Sequence, residues 1–84
     1  MKWRIIFARP AEKELARLSS EMQLRLGRVI RSLEDDPIPA QVKRLKGRTE
    51  FRLRVGDYRV LYALEHEGRV LTISAIGHRR EVYR

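Results

Sequence analysis

The sequence predicts an α+β domain of order β-α-α-β-β-β, with an N-terminal helical hairpin packed on one face of a mostly antiparallel sheet. Three observations predict it. Residues 51–62, Phe-Arg-Leu-Arg-Val-Gly-Asp-Tyr-Arg-Val-Leu-Tyr, alternate apolar and basic side chains on either side of a Gly-Asp pair, which is the pattern of a tight β-hairpin. Residues 22–33 place Met22, Leu26, Val29, Ile30 and Leu33 at helical spacing, forming one apolar stripe. Residues 2–8 and 70–76 are rich in aromatic and β-branched residues and read as strands.

Eighty-four residues make a single domain spanning 1–84, with a modest core. The chain has no cysteine, which excludes a disulfide framework and a thiolate metal site. No apolar run approaches the ~20 residues needed to span a bilayer, and the apolar part of Met-Lys-Trp-Arg-Ile-Ile-Phe is too short for a signal peptide. A soluble cytoplasmic protein is the expectation. The net charge is +8 and is unevenly placed: residues 1–42 carry +2 and residues 43–84 carry +6. A basic half on a small domain points to a polyanionic partner, nucleic acid in most cases and an acidic protein in others.

Within the first strand, Trp3, Ile5 and Phe7 share a face, so Trp3 reads as core or core edge before it reads as a base-stacking platform. Pro10 suits the first turn of a helix, where its missing N–H costs nothing, and Glu12 and Glu14 follow near the positive end of the helix dipole. Ala11, Leu15 and Leu18 are helically spaced. Ser20 with Gln23 resembles a capping box opening the second helix. Arg25, Arg28 and Arg31 line the far side of that helix as a solvated face or, alternatively, a phosphate-contacting row. Glu34-Asp35-Asp36-Pro37 ends it, because the residue before proline disfavours the α region.

Residues 37–50 form a connector whose two prolines and one glycine argue against regular structure, with Val42 and Leu45 tacking it to the core. Lys43, Arg44, Lys46 and Arg48 put four cations in six residues directly before the hairpin, a candidate RNA-binding segment to which Arg80 is added from the tail. If the Gly56-Asp57 loop has two residues, Val55 faces Tyr58, Leu53 faces Val60 and Arg54 faces Arg59. Like charges directly across a ladder are unfavourable, so either both arginines splay into solvent or an anion sits between them. Val60 to Leu64 completes that strand, residues 65–68 form a turn, and the last long strand runs from Val70 to Ile76. His66, in the turn, has no second histidine nearby, so no metal site is expected there. The tail is Gly77-His78-Arg79-Arg80-Glu81-Val82-Tyr83-Arg84.

No nucleophile constellation, phosphate-binding glycine loop or metal-ligand spacing is present. Guanidinium groups, a histidine and tyrosines suit phosphodiester chemistry in which RNA supplies its own nucleophile, the 2′-hydroxyl. Arginines stabilise the charged phosphorane, and His78 is the candidate in the tail for proton transfer, the usual work of histidine. Tyr83 can stack on a base or move a proton.

The hairpin from Phe51 to Tyr62, the Leu45-Lys-Gly47 that precedes it, the tail Gly77-His-Arg-Arg-Glu-Val-Tyr83 and the element order together resemble the RelE branch of the RelE/ParE toxin superfamily over essentially the whole chain. The resemblance implies a ribosome-dependent mRNA endonuclease of a type II toxin–antitoxin system. Such an enzyme cuts in the A site without a metal or other cofactor and leaves a 2′,3′-cyclic phosphate and a 5′-hydroxyl. It also implies a cognate, RelB-like antitoxin as partner, with operator DNA reached only through that complex. By position, Arg59 matches the phosphate-stabilising arginine, Arg79 the second catalytic arginine and Tyr83 the base-stacking tyrosine. Arg52 and Arg54 stand where well-known members carry lysines, one of them the proposed general base. His78 and Lys46 are the alternatives for that role. A ParE-like inhibitor of gyrase and an inactive binding module on the same fold remain as rival readings.

Overall fold

The computed structural model describes residues 2–40, 42–44 and 50–78, with the backbone alone at Lys43 and Arg44. The elements run β1 (Arg4–Phe7), α1 (Arg9–Arg17), α2 (Ser20–Ser32), β2 (Lys43–Arg44), β3 (Glu50–Val55), β4 (Tyr58–Glu65) and β5 (Val70–His78). They form one sheet of order β1-β5-β4-β3-β2, in which β1 pairs parallel with β5 and every other pairing is antiparallel. The two helices cover one face, as the apolar pattern requires.

Helix α1 starts without a side-chain cap at Ala8, with Pro10 in its first turn, and buries Ala11 completely. Helix α2 buries Leu26 and Ile30, with Leu33 buried at its C-cap and Met22 and Val29 packed against the core. The capping box expected from Ser20 is replaced by two separate devices. Ser19 is the N-cap, and its Oγ accepts from the Met22 N–H at 3.2 Å. The Gln23 side chain turns back instead of closing the box: its Nε2 donates to the carbonyls of Leu15 at 2.9 Å and Leu18 at 3.2 Å. One amide therefore satisfies carbonyl groups at the end of α1 and pins the two helices together.

The connector is less irregular than its prolines suggest. Lys43 and Arg44 pair with Arg52 and Phe51, adding a two-residue edge strand to the sheet. Tyr62, fully buried, donates its hydroxyl to the Pro37 carbonyl at 2.6 Å, which ties the start of the connector to the core. Its ring stacks on Phe51, its ladder partner.

The sheet has a break in phase that decides which side chains share a face. Leu61 pairs with Ala75, yet Tyr62 pairs with Ile73, so Ser74 is the extra residue of a bulge in β5. In an unbroken strand Ile73 and Ile76 would point to opposite faces. With Ser74 inserted, Leu71, Ile73 and Ile76 all join Leu53, Val55, Val60 and Tyr62 in the core. Strand β5 also runs past the expected Ile76 to include Gly77 and His78.

Candidate functional site

The hairpin forms in the register its sequence predicts: Val55 pairs with Tyr58, Arg54 with Arg59 and Leu53 with Val60. Gly56 holds the first loop position at φ 62, the glycine-first arrangement of a tight hairpin. The guanidinium of Arg25 from α2 lies over this turn, close enough that a Cβ at Gly56 would meet its Nη1 at 3.2 Å.

Strand alternation sends Glu50, Arg52 and Arg54 of β3, with Arg59, Leu61 and Ala63 of β4, to the face away from the helices. Gly77 of β5 flanks Arg59 on its other side, so Arg59 stands between an arginine and a residue with no side chain. Arg54 is exposed and Arg52 half-buried, whereas Arg59 is only 8% exposed. The expectation that both hairpin arginines splay into solvent therefore holds for Arg54 and fails for Arg59. A guanidinium cannot shed its charge, so Arg59 carries a positive charge below the surface directly across the ladder from that of Arg54.

Of the other candidates, His78 does not join this group. It pairs with Tyr58, whose side chain points to the helix face, and its ring meets the Tyr58 ring edge-on at 5.8 Å. Arg59, the residue after Tyr58, points to the opposite face. Lys43 stands opposite Arg52 in the ladder, and Arg44 opposite Phe51. Lys46, Arg48, Arg79, Arg80 and Tyr83 lie outside the described residues. His66 is exposed and packs edge-on against Trp3 at 5.4 Å, with Trp3 half-buried at the core edge.

Two residues of this face escaped the sequence reading. Ser74 Oγ lies 2.9 Å from Glu50 Oε2 and 3.1 Å from the Leu61 carbonyl oxygen. Both carried a signal. Glu50 is in phase with Arg52 and Arg54, and the apolar step from Ile73 to Ile76 is three residues where a regular strand needs two.

Residues 5–83 match the family model described as the ParE toxin of the type II toxin–antitoxin system parDE. A relative from Methanocaldococcus jannaschii bearing the toxin name RelE1 is 31% identical over 88 residues, an alignment covering 100% of this chain and 98% of the relative. Among solved structures, the RelE–RelB complex of Pyrococcus horikoshii superposes with a TM-score of 0.84 at 27% identity, covering 98% of this chain and 100% of that one. The isolated RelE toxin of E. coli gives a TM-score of 0.81 at 24% identity, with 96% and 90% covered, and shows the same fold.

Proposed function

The chain belongs to the RelE/ParE toxin family of type II toxin–antitoxin systems, and on that premise we propose that it is a ribosome-dependent mRNA endoribonuclease. The observation that carries this reading is the Arg54–Arg59 pair: two arginines opposite each other, one of them buried, on the sheet face away from α1 and α2. Arg59 and Arg54 hold the scissile phosphate, and their fixed charges offset the growing negative charge as phosphorus becomes pentacoordinate. The 2′-oxygen attacks in line and the 5′-oxygen leaves, giving a 2′,3′-cyclic phosphate and a 5′-hydroxyl. Arg79 supplies a second cation and Tyr83 stacks on a substrate base, roles that rest on the family resemblance. Arg52 and the basic run Lys43, Arg44, Lys46 and Arg48, with Arg80, bind the flanking RNA.

Relatives solved with RelB-type antitoxins support a cognate antitoxin as partner. An acidic antitoxin segment complements the +6 half, and operator DNA is contacted through that complex. Among the described residues no helix is long and apolar enough to cross a membrane, and a ribosome-bound role places the protein in the cytoplasm.

The chemistry is tested on the products. RNA cut by the protein on programmed ribosomes should carry 3′ ends that resist ligation until a phosphatase that opens cyclic phosphates is added. Ends with a free 3′-hydroxyl would contradict the mechanism. The family model's ParE description favours one second reading, inhibition of gyrase by protein contact. A DNA supercoiling assay separates the two.

A further inference from the structure

Helix α2 carries a glycine near its centre, Gly27, and that glycine is exposed. Glycine at such a position costs helix stability relative to alanine. No close approach within the chain calls for it: a Cβ at Gly27 would meet nothing within 4 Å outside the helix's own backbone and its chain neighbours. Two hollows meet there. One, of about 240 Å³, runs along α2 between Leu24 and Arg28, and the other, of about 220 Å³, drops between α2 and β1 onto Ile5 and Phe7. Gly27 and Arg31 line both, so the two form one trough from the outer side of α2 to the edge strand β1.

The trough combines apolar and basic walls. Leu24 is 67% exposed, the most exposed large hydrophobic side chain among the described residues, and Ile5 and Phe7 are half-buried. Arg28 and Arg31 are exposed, and among the described residues no carboxylate lies within ion-pair distance of either. Glu34 lines the β1 end, where its backbone carbonyl accepts from the Trp3 N–H at 2.9 Å. Covering Leu24 favours a protein side chain, and two guanidinium groups with no ion-pair partner favour carboxylates. Phosphates alone would leave Leu24 in water. A second copy docked through the same patch would set arginine against arginine, between molecules of net charge +8.

We propose that this trough anchors an acidic, amphipathic segment of the antitoxin, a placement that rests on the antitoxin reading above and not on the ribonuclease one. An apolar side chain of the segment lies over Gly27 against Leu24, and the missing Cβ lets the two backbones come close. Carboxylates on the flanks of the segment meet Arg28 and Arg31. The trough belongs to the +2 half of the chain and to the helix side of the sheet, whereas Arg54 and Arg59 point to the other side. It is therefore a grip separate from any acidic segment on the +6 half, and substitutions in it act on antitoxin binding without touching the arginine pair.

The test titrates the full chain with its full-length cognate antitoxin and reads Kd beside a thermal melt. Gly27→Leu fills the trough from a position with open space, so it should melt at or above wild type yet bind the antitoxin about 30-fold or more weakly. The double variant Arg28→Gln, Arg31→Gln should bind about 10-fold more weakly at low salt and lose part of the salt dependence. Gly27→Ala should melt about 4–8 °C above wild type. No gain there would show that the chain itself needs the glycine and would overturn the proposal. Wild-type affinity in Gly27→Leu would overturn the placement and leave the antitoxin reading intact. So would a toxin dimer that Gly27→Leu dissolves, which gives the trough to a second copy. Loss of ribosome binding by the double variant at unchanged antitoxin affinity would give it to RNA, with the same consequence. A folded wild-type chain that does not bind the antitoxin would overturn both.

Discussion

Arg54 and Arg59 stand directly opposite each other across the β3–β4 ladder, and the second of them is 8% exposed. Two like charges at that spacing cost stability, and burying one adds desolvation. An anion bound between them reverses both terms. Arg59→Ala should therefore abolish cleavage, with a rate loss of about 10²-fold or more, while the folded state survives. Arg54→Ala should lose less, because its side chain is exposed and can be replaced in part by solvent and neighbouring cations. Single-turnover cleavage alongside a thermal melt checks both. Undiminished cleavage in both variants would count against this site.

Tyr62 couples stability to alkaline pH. Burial, and secondarily the charge of Asp36, pushes its phenol from 10.0 up to about 12. The native state therefore keeps a proton that the unfolded chain gives up. The contribution is present in full below pH 10 and is lost as pH rises from 10 through 12, in total about 2–3 kcal/mol. Tyr62→Phe should be about 1 kcal/mol less stable at neutral pH, because the hydrogen bond to Pro37 is gone. The same variant should lose less stability than wild type between pH 10 and 12. Urea titrations of both proteins across that range measure the difference.

Gln23 is the bolt of the helical hairpin, with its amide shared among the carbonyls of Leu15, Ala16 and Leu18 at the end of α1. Gln23→Ala leaves the Leu15 carbonyl with only the Leu18 N–H and the Leu18 carbonyl without the amide, at a cost of about 1–2 kcal/mol. In a domain this small each kcal/mol lowers Tm by about 4–8 °C. Gln23→Glu should be at least as harmful, since a carboxylate cannot donate. A calorimetric scan of the two variants settles the order.

Ser74 can be deleted without turning the core inside out. It is the unpaired residue of the bulge, so removing it joins Ile73 to Ala75 and leaves both on their present faces. Deleting Thr72 instead shifts Leu71 out of phase with its neighbours and expels it from the core. The Ser74 deletion should unfold cooperatively and lie within about 2 kcal/mol of wild type. The Thr72 deletion should fail to fold or lose more than about 3 kcal/mol. Chemical denaturation distinguishes the two outcomes.

These contrasts also mark what was legible beforehand. The hairpin register could be read because a glycine-first loop between Val55 and Tyr58 admits one pairing, and because a slip would bury arginines. The apolar stripe of α2 was legible for the same reason: Leu26, Ile30 and Leu33 had only one face to share. The helix cap moved from Ser20 to Ser19 because two adjacent serines present the same local signal and only the geometry of the chain reversal decides between them. The strand at Lys43–Arg44 was hidden because two residues are too few for any periodicity. The depth of Arg59 was hidden because alternation gives the face and says nothing of what closes over it. His78 was read as a tail residue and a candidate base, whereas ladder pairing with Tyr58 makes it the end of β5 and fixes it to the opposite face.

The measurement that tests the central claim most directly is primer extension on a defined mRNA incubated with the purified protein, with and without ribosomes holding an empty A site. The account predicts cuts confined to the A-site codon, present with ribosomes and absent without them, and lost in Arg59→Ala. No cleavage in either tube, from a protein that is folded and binds the ribosome, would contradict it.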